Sequence, residues 1–124
     1  MDTLKEQRNK EIIATYHQIA SRYDISKMPF KVLIGMVQNS PASRFYMSED
    51  RAARYISEYE QKGDVKLTGG KRRMFEDFYK VYLRQKDRMK VYYKHYIISF
   101  CLHQQAPSFY LSGQQIEKIL ASGK

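Results

Sequence analysis

The chain has 124 residues with 22 Lys and Arg against 13 Asp and Glu, a net charge of +9, and 43% of it is hydrophobic. Eleven tyrosines and six phenylalanines exclude a wholly disordered chain, and the lack of any apolar run near the ~20 residues of a membrane helix excludes a spanning segment. One cysteine excludes an internal disulfide framework, and the start Met1-Asp2-Thr3-Leu4-Lys5-Glu6 has no signal-peptide pattern, so a single cytoplasmic domain over residues 1–124 is predicted.

In chain order, Thr3-Leu4-Lys5-Glu6 has the form of a capping box, with Glu6 reaching back to the cap. Ile12, Ile13, Tyr16, Ile19, Ala20 and Tyr23 follow at helical spacing, which predicts a helix over about 3–23. The chain restarts at Ser26–Pro29, and Phe30, Val32, Leu33, Ile34, Met36 and Val37 predict a buried helix ending before Pro41. Ser48 is the next N-cap, with Glu49 and Asp50 in the first turn. Ala52, Tyr55, Ile56 and Tyr59 form its apolar stripe, and Gly63 stops it. Residues 63–70 read as a linker. A long helix starts near Lys71 with Met74, Phe75, Phe78, Tyr79 and Tyr82 inward. It bends or breaks at Lys86-Asp87-Arg88, and Val91, Tyr92, Tyr96, Ile97, Phe100 and Cys101 resume its apolar pattern. Ser112 caps a last helix that carries Ile116, Ile119 and Leu120 on one side. The expectation is an all-α protein of about six helices.

Self-similarity is the most specific pattern. Pro41-Ala42-Ser43-Arg44-Phe45-Tyr46-Met47-Ser48 recurs as Pro107-Ser108-Phe109-Tyr110-Leu111-Ser112. Matched at the Phe-Tyr pair, Arg54 falls on Lys118 and Ile56 on Leu120. Upstream, with two extra residues allowed in the first copy, Phe30, Val32, Ile34 and Met36 fall on Tyr96, Ile98, Phe100 and Leu102, and Ile12 and Tyr16 on Phe78 and Tyr82. Two pseudo-repeated three-helix units, about 3–62 and 71–122, are therefore predicted, packed as one compact domain. Phe45, Tyr46, Phe109 and Tyr110 read as core plugs beside an N-cap rather than as base-stacking groups.

These paired Pro–Phe-Tyr–Ser units, with Lys71-Arg72-Arg73-Met74-Phe75 between them, resemble the Pro-x-x-Phe-Tyr-[Leu/Val]-Ser units of a group of small uncharacterised bacterial proteins from phage-like or mobile-element settings. The resemblance spans about residues 8–122. It implies a helical fold and tilts the reading towards nucleic acid, and it brings no activity with it.

The charge is unevenly placed. Residues 71–94 hold nine basic and three acidic side chains, a net of +6. Clustering of that kind can recruit polyanions. Lys71, Arg72 and Arg73 open the helix. Arg73, Lys80 and Arg84 follow a face opposite Phe75, Phe78 and Tyr82, with Asp77 interrupting, and Arg88, Lys90 and Lys94 extend the positive stretch. Five phosphate contacts on duplex DNA would give a salt slope of about −4.5. Base-edge readers are Arg51 and Arg54 on the third helix and Gln114, Gln115 and Lys118 on the last. Both helices read first as ordinary solvated faces and only second as base readers.

No catalytic set emerges. Gly69-Gly70-Lys71 lacks the P-loop pattern, because Val65 stands where glycine is needed and Arg72 where Ser or Thr is needed. Cys101 sits among apolar neighbours and reads as core rather than nucleophile. His17, His95, His103 and one cysteine give no zinc ligand set, and Glu58 and Glu60 point to different faces. The expectation is a non-enzymatic DNA-binding protein without cofactor or metal, a regulator or accessory protein of a mobile element. The alternative is a protein-interaction or assembly module, and an acidic protein partner would leave the same electrostatic footprint.

Overall fold

Half of the described helices begin where a side chain supplies an acceptor for their unpaired N–H groups. The structure, a computed structural model that describes residues 2–123, shows this at three starts. The Glu6 N–H donates to Thr3 Oγ1 at 3.1 Å, the Arg51 N–H to Ser48 Oγ at 3.2 Å and the Gln115 N–H to Ser112 Oγ at 3.2 Å. Only the threonine half of the expected Thr3–Glu6 box is present. The reciprocal box forms instead at Ser112, whose N–H donates to Gln115 Oε1 at 2.9 Å.

The described residues form six helices and no strand. They are α1 (Leu4–Ala20), α2 (Phe30–Gln38), α3 (Glu49–Lys62), α4 (Gly69–Arg88), α5 (Lys94–Leu102) and α6 (Gly113–Ser122). Gly63 closes α3 with φ of 74°, a left-handed conformation that glycine adopts without a Cβ clash. The break after α4 falls where the apolar pattern lapses, and it resets the helical phase of α5. Ile97, Ile98, Cys101 and Leu102 are buried, whereas Val91, Tyr92, Tyr96 and Phe100 are exposed. The predicted inward stripe of α5 is corrected accordingly, because a helix restarted at Lys94 turns a different face inward. Similarly, α1 ends before Tyr23, and Tyr23, Phe30 and Val32 stand exposed.

The helices sort into two units. One, Ser43–Ala106, contains α3, α4 and α5. The other, the chain up to Ala42 and from Pro107 onward, contains α1, α2 and α6. The packing units therefore differ from the sequence repeats: each repeat keeps its first two helices together and sends its third into the other unit. The chain passes from one unit to the other within the two Pro–Phe-Tyr–Ser connectors.

Burial also pairs the copies differently from the sequence matching. Leu33, Ile34 and Val37 correspond to Ile97, Ile98 and Cys101, at the same spacing that relates Phe45 to Phe109. On that spacing α2 and α5 pair without an insertion, and Pro41 and Pro107 fall at different positions of the two connectors.

In the Ser43–Ala106 unit, the Phe45 N–H donates to the Leu102 carbonyl at 2.9 Å. The Phe45 ring meets Phe78 edge-on at 5.8 Å. Tyr55 lies 6.0 Å from Phe75, and Tyr59 lies 4.9 Å from Tyr79, joining α3 to α4 through rings; such pairs contribute about 0.5–1.5 kcal/mol each beyond their buried area. Phe45 and Phe109 are buried while Tyr46 and Tyr110 are half-buried. In the other unit, a Cβ added at Gly113 would stand 3.4 Å from Ile34 Cγ2, and Gln38 Nε2 donates to the Leu111 carbonyl at 3.3 Å. The start of α6 is thereby docked on α2.

Phe78 has no exposed surface and lies against the Phe45 plug. Phe78→Ala should cost about 3–5 kcal/mol, as expected for deleting a buried ring without full collapse of the cavity. Urea unfolding of parent and variant measures it, and a loss below about 1 kcal/mol would show that the plug carries no core.

Candidate nucleic-acid interface

The positive charge follows the packing units. The Ser43–Ala106 unit has fourteen basic and eight acidic residues, a net of +6, leaving +3 for the rest. Within it, the 100° step of a helix sets the faces of α4. Phe75, Phe78 and Tyr82 are buried, so Arg73, Lys80 and Arg84 occupy the opposite face, about 16 Å from first to last at 1.5 Å per residue. All three are exposed, as are Lys71, Arg88 and Lys90. Asp77 and Asp87 stand on or beside this face and lower its field.

Two cations of the predicted set have structural duties. Arg72 is half-buried and clamps the loop that precedes α4. Its guanidinium donates to the Val65 and Leu67 carbonyls, both at 3.2 Å, and to Asp64 Oδ1 at 2.9 Å, with Glu76 Oε2 3.9 Å away. The Arg72 hydrogen bond holds the Asp64 carboxyl below the ordinary carboxylate range, helped by a hydrogen bond from the Val65 backbone. Lys94 lies 3.5 Å from Glu60 Oε1, and Lys86 lies 3.9 Å from the other oxygen of that carboxylate. One glutamate of α3 thus holds a lysine from each of its neighbouring helices.

The expected base-edge residues are divided between the units. Arg51 and Arg54 belong to the basic unit and are exposed, with the Arg54 guanidinium 5.6 Å from the Tyr55 ring. Gln114, Gln115 and Lys118 are exposed on α6, in the other unit. The amide oxygen of Gln115 is occupied by the capping box. A Ser-x-x-Gln pattern at Ser112 carried that information in the sequence.

Two features were not singled out from the sequence as sites. Arg44 is half-buried and donates to the Phe45 carbonyl at 3.1 Å and to the Met47 carbonyl at 3.5 Å. Its Nη1 lies 3.4 Å from His103 Nε2, and burial lowers its pKa against the opposing pull of Tyr46 and Glu49. Arg44 therefore fixes the connector. The second feature is a group of exposed rings at the start of α5, where Tyr93, His95 and Tyr96 lie against one another. The run Tyr92-Tyr93-Lys94-His95-Tyr96 held the signal, masked because apolar spacing was expected to continue through it.

The unit containing α1, α2 and α6 has an apolar cavity of about 600 Å³ lined by Ile13, Tyr16, Phe30 and Leu120, with His17 and Glu117 as its polar groups. Cys101 is fully buried, and desolvation pushes its thiol up to about 11. Among the described residues no group of three or more His, Cys, Asp and Glu is placed to hold a metal, and no helix is long and apolar enough to cross a membrane. No protein-family model matches this chain, and neither curated proteins nor solved structures give a match.

Two measurements check this description. Cys101 should stay unlabelled by an aromatic disulfide reagent at neutral pH in the native protein and react fully in denaturant, since thiolate and access are both withheld; rapid native labelling would contradict its burial. The Asp64 carboxylate, with its pKa depressed in the folded state, contributes stability above the unfolded pKa that is lost as pH falls through the folded one. Arg72→Gln should therefore be less stable than the parent at neutral pH, with the difference narrowing in urea titrations as the pH falls below the ordinary aspartate range. A difference that stays constant with pH would show that Arg72 acts only through the Val65 and Leu67 carbonyls.

Proposed function

We propose that this chain is a non-catalytic nucleic-acid-binding protein whose contact surface is the solvent face of α4 with the basic turn that follows it. The observation that carries this reading is the +6 charge of the Ser43–Ala106 unit, combined with exposure of Lys71, Arg73, Lys80, Arg84, Arg88 and Lys90. Long flexible cations along one helix suit phosphate contacts, which position a protein on a polyanion without reading sequence. Arg51 and Arg54 add side chains able to bond base edges from the same unit. Arg72 and Lys94 support this surface by fixing the elements that carry it. The resemblance to mobile-element proteins fits an accessory or regulatory binding role. DNA is the polyanion that the reading favours.

A second reading is a protein-interaction module, favoured by the apolar cavity beside Tyr16 and Phe30 and by the exposure of Phe30 and Val32. On that reading the cavity receives an apolar side chain of a partner and the basic face is only solvated.

Reversing the charge of Arg73, Lys80 and Arg84 together separates the two. The triple variant should bind random duplex DNA more weakly, and its salt slope should fall by roughly 2.7, which is three phosphate contacts. Fluorescence anisotropy across a salt series measures both. Unchanged affinity and slope would move the function to the apolar surface.

A further inference from the structure

Beside the cations, the Ser43–Ala106 unit exposes rings where solvation alone gives no reason for them. Tyr93 is 76% exposed and Tyr96 is 55% exposed. The Tyr93 and His95 rings are nearly parallel, 9° apart with centroids at 6.0 Å, and His95 lies 4.2 Å from Tyr96 at 37°. Tyr93 and Tyr96 are 6.4 Å apart, so the three rings support one another at the surface. Tyr92, also exposed, lines a cleft of about 440 Å³ together with Lys86, Lys90 and Lys94. One short stretch, residues 90–96, thus carries a ring cluster and a lysine-lined cleft.

We propose that Tyr93, His95 and Tyr96 form a stacking platform for the unpaired bases of a single-stranded nucleic acid whose phosphates lie along the Lys86–Lys90–Lys94 cleft. The proposal rests on the nucleic-acid reading above and narrows its ligand class. Bases in a duplex keep their faces against their neighbours, so exposed rings gain nothing from them. Every unpaired base offers a π-face, and stacking on a protein ring is sequence-tolerant. Ring-on-ring support reduces the freedom left to lose on binding. Charge complementarity selects a polyanion over an apolar protein partner, because lysine is depleted from the centres of protein interfaces, Lys94 sits between Tyr93 and His95, and the cleft that Lys94 shares with Tyr92 holds three lysines against two carboxylates. Glu60 holds Lys86 and Lys94 but faces two lysines with one charge, and Lys90 adds a third cation, so the cleft keeps a net positive charge with Asp87 included.

The test uses the full chain, an oligo-dT of about 20 nucleotides, its duplex with oligo-dA, and polyglutamate. The chain has no tryptophan and eleven tyrosines, so the part of the tyrosine quenching that is lost when Tyr93 and Tyr96 are replaced reports stacking on the platform. The parent should bind the single strand about tenfold more tightly than the duplex, with tyrosine quenching only by the single strand. Replacing Tyr93 and Tyr96 by Ala should cost the single strand about tenfold or more and leave the duplex within about twofold. The Tyr93→Phe, Tyr96→Phe variant, which keeps the rings, should retain single-strand affinity. Both positions are exposed, and circular dichroism confirms that the variants fold. If the Ala variant binds the single strand as the parent does while reversal of Arg73, Lys80 and Arg84 weakens both nucleic acids, the platform is wrong and the basic interface stands. Absence of binding to either nucleic acid at low salt overturns both readings. Equal quenching by polyglutamate overturns the platform in favour of an acidic protein partner.

Discussion

Much of this molecule depends on one constraint: the Pro–Phe-Tyr–Ser connector that carries the third helix of each repeat away from the first two. A phenylalanine seals the corner. In the Ser43–Ala106 unit Phe45 fastens by its N–H to the end of α5 and by its ring to Phe78 of α4, so the arriving stretch of chain enters the core before α3 begins. Arg44 holds the same connector by donating to the Phe45 and Met47 carbonyls. Ser48 and Ser112 then cap α3 and α6, so corner and helix start are set by a few adjacent residues. The Ser43–Ala106 unit is built of consecutive helices, whereas the unit of α1, α2 and α6 is completed by a helix distant in sequence and requires long-range contacts to form.

The exchange has an electrostatic consequence. It brings α3 and its following loop, with a net charge of −1, against the basic pair α4 and α5. Glu60 takes Lys86 and Lys94, and Asp64 takes Arg72. These exposed ion pairs add little stability individually. Their effect is selective, since they tie Arg72, Lys86 and Lys94 to carboxylates while Lys71, Arg73, Lys80, Arg84, Arg88 and Lys90 stand exposed outside these pairs. Lys86 and Lys94 share one carboxylate between them and still line the cleft beside Tyr92.

All six helices were legible in the sequence because their caps, stops and apolar spacing are local. Ser48, Gly63 and Ser112 act where their chemistry indicates, and the break after Arg88 falls where the pattern lapses. The partner of each helix was not legible. The apolar stripe of α3 suits any three-helix core, and nothing in Ala52 or Ile56 says whether α2 or α5 will cover them. The same limit hid the exposed rings: Tyr92 and Tyr96 read as core until the phase of α5 was fixed by its start at Lys94. Arg72 was legible as a cation, but its two carbonyl acceptors depend on how the 64–67 loop folds back. Gln115 was readable as a cap from Ser112 alone, and its candidacy for base contact weakens on that ground.

The central claim is that packing confines the functional surface to one of the two units, through α4 and residues 90–96. Backbone-amide chemical-shift mapping during titration with oligo-dT tests it most directly. The account predicts shifts concentrated at residues 71–96, with α6 and the apolar cavity beside Tyr16 and Phe30 unmoved. Shifts centred on Gln114, Lys118 and that cavity, with α4 silent, would contradict it.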